Sequence, residues 1–288
     1  MSPILTGSKG KCIPGRLQTT GLLAVLLALV AGCGETREEA TSITVASTTS
    51  TQSSGLLDHL LPVFEERTGI EVRVLAVGTG QALDRARNGE ADVLLVHHRP
   101  SEWGFVSDGY GLERLDVMYN DFVLVGPEAD PAGIADAPGA PEALQLIERS
   151  GATFVSRGDD SGTHRKELAL WREAGIDLPL GTRDSYHETG VGMGATLDTA
   201  AGMSAYTLSD RATWARFENK RGIQLLFQGD PRLFNPYGVI VVNRARHPHV
   251  NLEGAQALAN WLTAPEGQKR IASYRIAGQQ MYYPNARN

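Results

Sequence analysis

Three short apolar runs, each followed by a helical pattern or a glycine-rich turn, constrain this chain more than anything else in it. They are ITVA (43–46), VRVLAV (72–77) and DVLLV (92–96). Between the first two, Leu56, Leu57, Leu60, Leu61 and Phe64 fall at helical spacing, and Gly69 stops the pattern. Pro62 lies inside that helix and is expected to bend it or split its first turn. A second helical stretch runs from Gln81 to Asn88-Gly89. Strands that are apolar throughout, rather than alternating, are those buried on both faces, so the pattern predicts an α/β fold with mostly parallel sheets and helices on both faces. In such sheets ligands bind beyond the carboxyl ends of the strands, where helices begin. That directs attention to STTST (47–51), GTGQ (78–81) and HHRP (97–100).

Further on, YNDFVLVGP (119–127) reads as another buried strand, and the proline- and glycine-rich stretch that follows (127–141) reads as a domain crossing. A second α/β pattern then appears: strands at 152–156, 204–209 and 223–227, with helices at 161–175 and 192–203. The strand YGVIVVN (237–243) and two terminal helices (251–263 and 266–274) return the chain to its first domain.

The first 32 residues are expected to be removed. Lys9, Lys11 and Arg16 precede the apolar run 22–30, an export signal, and VAGC, ending at Cys33, resembles the lipobox of bacterial lipoproteins. Cys33 would then be lipidated and tether the protein to the outer face of a membrane. Cleavage as an ordinary signal peptide is the plainer alternative, and either way the protein leaves the cytoplasm. Residues 33–42 have no apolar face and read as a tether. Loss of Lys9, Lys11 and Arg16, with no acidic residue in 1–32, leaves 24 Lys and Arg against 33 Asp and Glu, a net −9. So acidic a chain is no partner for nucleic acid, and an anionic ligand must be held by local dipoles and hydrogen bonds. The other cysteine, Cys12, lies in the signal, which excludes a disulfide or a thiolate metal site in the body. Roughly 250 residues without such staples need a large core, in one big domain or two medium ones.

The stretch SRGDDSGTH (156–164) places Ser161, Gly162 and Thr163 where a helix begins, offering hydroxyls and unpaired backbone N–H groups at the positive end of its dipole. That combination binds an anion. The plainer reading is a capped turn, with Asp160 or Ser161 as N-cap and Glu167 in the following turn favouring the dipole; capping alone does not call for Arg157 beside it. STTST has the same logic, and GTGQ and TGVGMG (189–194) add glycines that admit a ligand close to the backbone. Neither glycine run fits a phosphate-loop or dinucleotide fingerprint. A hydrolase with Ser161 or Thr163 as nucleophile, His164 as base and Asp159 or Asp160 as orienter lacks the G-x-S-x-G elbow. His97-His98 and the pair His247 and His249 have no third metal ligand at a recognisable spacing.

In this order STTST, VGTGQAL, DVLLVHHRP, YNDFVLVGP, SRGDDSGTH, TGVGMGATL and AYTLSDRATW resemble the tungstate-binding component of bacterial tungstate ABC importers, over nearly all of 43–285. The resemblance implies a type II periplasmic-binding-protein fold: two α/β lobes, 43–121 with 237–288 and 122–236, joined by a two-strand hinge around an oxyanion. It implies a monomer without cofactor or catalysis that hands tungstate or molybdate to a permease. By position, Thr48, Thr49 and Ser50 would contact the anion from the first lobe, to which the reading of the GTGQ loop adds Thr79 and Gly80. Arg157, Ser161, Gly162 and Thr163 would do so from the second, with His97, Arg99, Asp159, Thr189 and Gly192 behind them. Arg157-x-Asp159-x-Ser161-Gly162-Thr163 also resembles the anion loop of phosphate-binding proteins, in which an aspartate accepts the proton of hydrogen phosphate. Tungstate at neutral pH has no proton to give. Under the tungstate reading Asp159 should therefore turn away and hold Arg157 instead. A purely adhesive lipoprotein would bind no small anion.

Overall fold

A computed structural model describes residues 42–177 and 184–286 of the 288. The export signal, Cys33 and nearly all of the tether lie outside the described residues. Strand β1 (Ser42–Thr48) runs into a short helix α1 (Thr49–Ser53), and α2 (Leu56–Thr68) follows. The break between the helices falls at Gly55, whose φ of 74° suits a residue without Cβ, and not at Pro62. Pro62 and Asp58, the residue four before it, both lie on the solvent face of α2, where water takes up the carbonyl that the proline cannot serve. The helix ends at Gly69, also left-handed.

After β2 (Glu71–Val77), α3 (Thr79–Arg87), β3 (Val93–Val96) and α4 (Arg99–Ser107) comes β4, which runs unbroken for 17 residues from Gly111 to Pro127. Next are α5 (Ala140–Ser150), β5 (Phe154–Ser156), α6 (Gly162–Glu173), β6 (Tyr186–Glu188), α7 (Met193–Met203) and β7 (Thr207–Asp210). The chain continues through α8 (Arg211–Arg216), β8 (Ile223–Phe227) and β9 (Phe234–Val242) to α9 (Leu252–Thr263) and α10 (Pro265–Ala272). It closes with a two-residue hairpin, β10 (Arg275–Ile276) and β11 (Gln279–Gln280), and β12 (Tyr283–Pro284).

The first sheet has the order β12-β4-β9-β3-β1-β2. Its β2-β1-β3 portion is parallel, as expected, and so is the β5–β6 pair. The expectation of mostly parallel strands fails elsewhere. Strand β9 pairs antiparallel with β3 and β4, and β7, β8 and β12 each pair antiparallel with the long β4. The fold has two lobes. β4 belongs to both: residues up to Asp121 pair with β9, and Phe122 onward pairs with β7 and β8.

Alternate residues of the buried strands feed cores on opposite faces. Val93 and Leu95 pack with Ile43, Leu60 and Phe64 on one side, and Leu94 and Val96 with Leu83, Phe105 and Ile240 on the other. Full burial of each such side chain stabilises by about 1.5–3 kcal/mol. In β4, Phe122 and Leu124 join Leu144, Trp171 and Tyr206, while Val123 and Val125 join Met193, Leu197 and Trp214. The proline- and glycine-rich stretch packs Ala132 and Ile134 into that same Phe122 cluster. The chain therefore changes core within β4 and not in the stretch. No helix among the described residues is long and apolar enough to cross a membrane.

Candidate functional site

Polar side chains that would ordinarily seek water are concentrated in the seam between the lobes. Thr48, Ser50, Thr51, Thr79, His97, Arg157, Ser161 and Thr163 are all buried there. Burial of so many hydrogen-bonding groups is costly unless each has a partner, so their partners define the site.

On the first lobe, Thr48 caps α1 by accepting the Thr51 N–H at 3.2 Å. Its Oγ1 also lies 3.0 Å from Ser50 Oγ, 2.7 Å from Thr51 Oγ1 and 3.2 Å from His97 Nε2. Ser50 Oγ is 3.3 Å from the same nitrogen. Burial pushes the His97 imidazolium down to a pKa of about 4; the nearby Arg157 charge adds to this, against the opposing Asn235 hydrogen bond. The ring is therefore neutral at physiological pH, and it stacks on Tyr237 at 4.8 Å.

On the second lobe, Ser161 is the N-cap of α6, accepting the His164 N–H at 3.2 Å. Glu167, expected to favour the helix dipole, reaches back to accept Ser156 Oγ–H at 2.8 Å and Tyr186 O–H at 2.7 Å. It is buried beneath the loop, and desolvation raises its pKa to about 7. Arg157 is 1 % exposed. Its Nε donates to the Val191 carbonyl at 3.1 Å, and its Nη2 pairs with Asp159 and donates to Thr49 Oγ1 at 3.2 Å. Asp159 accepts the Ser161 N–H with its other oxygen, so both oxygens are engaged.

The lobes are joined across the seam. The Gly162 N–H donates to Thr79 Oγ1 at 2.9 Å, Arg157 reaches Thr49, and Arg165 of α6 bonds Ser101 of α4. Gly162 leaves no room for a side chain: a Cβ there would stand 2.7 Å from His97 Cε1. Two buried donors of the second lobe, Arg157 Nη1 and Thr163 Oγ1, have no partner among the described residues. Formal charge in the seam is nearly balanced, with Arg157 matched by Asp159. Asp210, fully buried, has its pKa raised by desolvation although Arg157 opposes this.

The remaining sequence candidates are more scattered. Gly80 packs against Asp160, to which a Cβ would approach within 2.6 Å. Gly192 caps α7 with room for a methyl group beside Thr49 Oγ1. Thr189 donates to the carbonyls of Ser156 and Arg157 and thereby shapes the loop from behind. Arg99 pairs with Asp116 at 2.6 Å. The structure also brings in residues that the motif reading passed over. Asn235 meets His97 Nδ1 at 2.9 Å, and Asn120 accepts from Asn235 Nδ2 at 2.7 Å. Thr213 donates to the Ser50 carbonyl at 3.4 Å. The only sequence signal for the two asparagines is their amide character within buried apolar strands.

Hydrolytic geometry is missing at Ser161 and Thr163. His164 Nδ1 accepts the Asp160 N–H at 3.1 Å and its Nε2 lies 3.7 Å from Glu188, so neither ring nitrogen is set on a hydroxyl. Among the described residues no cluster of three or more His, Cys, Asp or Glu could hold a metal ion.

Residues 35–266 match the model of the PBP superfamily domain. The chain is 49 % identical over 252 residues to the tungstate-binding protein TupA of Peptoclostridium acidaminophilum, covering 85 % of this chain and 86 % of that one. The chain belongs to the PBP superfamily, in the family of these TupA proteins. A putative ABC transporter anion-binding protein of Haloferax volcanii is 50 % identical over 260 residues, 88 % of this chain and 74 % of that one. Among solved structures, the tungstate ABC transporter from Geobacter sulfurreducens superposes with a TM-score of 0.75 at 52 % identity, covering 82 % of this chain and 99 % of that one. The match agrees with the two lobes described above.

Proposed function

We propose that this protein captures a tetrahedral oxyanion, tungstate or its near-isostere molybdate, outside the cytoplasm and delivers it to an ABC importer. The observation that carries the reading is the pair of buried, unpartnered donors Arg157 Nη1 and Thr163 Oγ1, in the seam that also holds the Thr48–Ser50–Thr51 hydroxyls. A buried guanidinium N–H without an acceptor costs several kcal/mol less when an anion meets it, so the site is built to be completed by one. Relatives named for tungstate and for anion transport support the same ligand class.

The lobes are taken as 43–121 with 237–288 and 122–236, and the contact set as Thr48, Thr49, Ser50, Thr79, Gly80, Arg157, Ser161, Gly162 and Thr163. No bond is made or broken; closure about β4 and β9 encloses the ligand. The chain acts as a monomer tethered through Cys33. Asp159 supports tungstate over phosphate: one oxygen pairs with Arg157 and the other accepts the Ser161 N–H, the turn toward Arg157 expected where the anion brings no proton.

Competition calorimetry with tungstate, molybdate, sulfate and phosphate tests the proposal. Tungstate or molybdate should bind at least a hundredfold more tightly than the other two, and Arg157→Ala should cost about 2 kcal/mol or more. Tightest binding of phosphate, strengthening where the anion is singly protonated, would refute it. A purely adhesive protein would show no thermal shift with any of the four.

A further inference from the structure

The hydroxyl cluster of the first lobe has a buried acceptor pointed into it. We infer that His97 is a specificity-determining positioning residue: held by Asn235 as the Nδ1–H tautomer, it takes one hydroxyl proton at Nε2 and so fixes how many donors the cluster offers an oxyanion. The inference rests on the oxyanion reading above and assigns to that site a residue that need not touch the ligand.

Both ends of the Asn235 amide are committed. Its oxygen lies 2.9 Å from His97 Nδ1, and its NH2 donates to Asn120 Oδ1 at 2.7 Å. An oxygen opposite Nδ1 requires the proton on Nδ1, which makes Nε2 an acceptor. Nε2 in turn stands 3.2 Å from Thr48 Oγ1 and 3.3 Å from Ser50 Oγ. Thr48, Ser50 and Thr51 bring one hydroxyl proton each. With one of them drawn to Nε2, the other two are shared between the Thr48–Ser50 and Thr48–Thr51 contacts and a ligand, and their directions are set rather than free to rotate. The reversed tautomer would place an N–H against two hydroxyls, turn one of them into an acceptor facing it and leave all three protons to find other partners.

The frame that holds the ring is rigid. His97 follows directly on β3, stacks on Tyr237 of β9 and lies near Phe122 of β4. Asn120 and Asn235 are register partners across β4 and β9, the two strands that connect the lobes. The hydroxyl order is thereby tied to the pairing of the connecting strands. Donor count matters because a site of fixed hydrogen bonds discriminates by leaving groups unpaired with the wrong ligand. A cluster whose ring acceptor is already used suits an oxyanion without a proton and disfavours one that must donate.

The test uses the full chain with 15N-labelled histidine, read by long-range 1H–15N correlation and by calorimetry with sodium tungstate and sodium phosphate. One ring, identified by its loss in His97→Gln, should carry its proton on Nδ1 at pH 7, and Asn235→Leu should abolish that preference. His97→Ala should weaken tungstate binding about tenfold, the equivalent of one hydrogen bond, and narrow the preference for tungstate over phosphate. His97→Gln, whose amide oxygen can reach the place of Nε2, should recover affinity to within about threefold of wild type. A wild-type His97 ring protonated on Nε2 overturns the inference, as does a His97→Ala chain with unchanged affinity and preference. A wild type that binds none of the oxyanions overturns the underlying reading instead.

Discussion

Replacement of Thr79 by valine isolates the closure step from the stability of either lobe. Thr79 is fully buried on α3, and its Oγ1 accepts the Gly162 N–H across the seam at 2.9 Å. Valine has nearly the same shape and no acceptor. In the closed form the Gly162 amide would then be buried and unpaired, a penalty of about 1–3 kcal/mol. In an open form the same amide is hydrated and pays nothing. The substitution therefore acts on the difference between the two forms, and the whole penalty appears in apparent affinity. At about 1.4 kcal/mol per factor of ten, tungstate binding should weaken by about 5- to 150-fold. Calorimetry on wild type, Thr79→Val and Thr79→Ser reads it, with the serine variant, which keeps the acceptor, close to wild type. The unliganded melting temperature should hardly move. A valine variant within about twofold of wild type, or one that loses as much unliganded stability as affinity, would refute the reasoning.

Arg157→Lys should still weaken binding at least about tenfold by calorimetry, because an ammonium cannot serve Val191, Thr49 and Asp159 from one planar fork. Glu167 has a folded-state pKa raised to about 7, above its ordinary value of 4.5, so the folded protein holds more protons than the unfolded chain between those values and loses stability as pH rises through them. Thermal melts should show Glu167→Gln gaining on wild type from about pH 5 to pH 8. Gly238→Ala should destabilise by about 1–3 kcal/mol in urea unfolding, since its Cβ would stand 2.6 Å from Glu102 Oε2 and 2.8 Å from the Arg114 guanidinium in a buried ion pair.

The parts of the fold visible in the sequence are those that obey one local rule. β1, β2 and β3 are short apolar runs, and Gly69 and Gly89 mark where helical patterns end. The beginning of β4 does not show in the sequence, because Glu113, Arg114 and Asp116 interrupt any apolar run; Arg114 is tolerated in the interior through Asp116 and through Glu102, twelve residues earlier on α4. Helices α4 and α5 carry a proline, Pro100 and Pro141, as their second residue, and a proline there looks the same in sequence as one in a loop. At the site, hydroxyls and glycines at strand-to-helix joints stood out because capping and anion binding use the same chemistry. Asn120 and Asn235 did not, since 115 residues separate them and only the pairing of β4 with β9 brings them together.

The shared strand has a consequence for how the molecule could have been assembled. Asp121 and Phe234, the last pair of the β4–β9 ladder before the chain departs into the second lobe, already sit opposite one another. That spacing is one a two-residue hairpin turn closes. Everything between them is in effect a cassette spliced into a single loop, able to diverge or be exchanged while the rest of the sheet keeps its register.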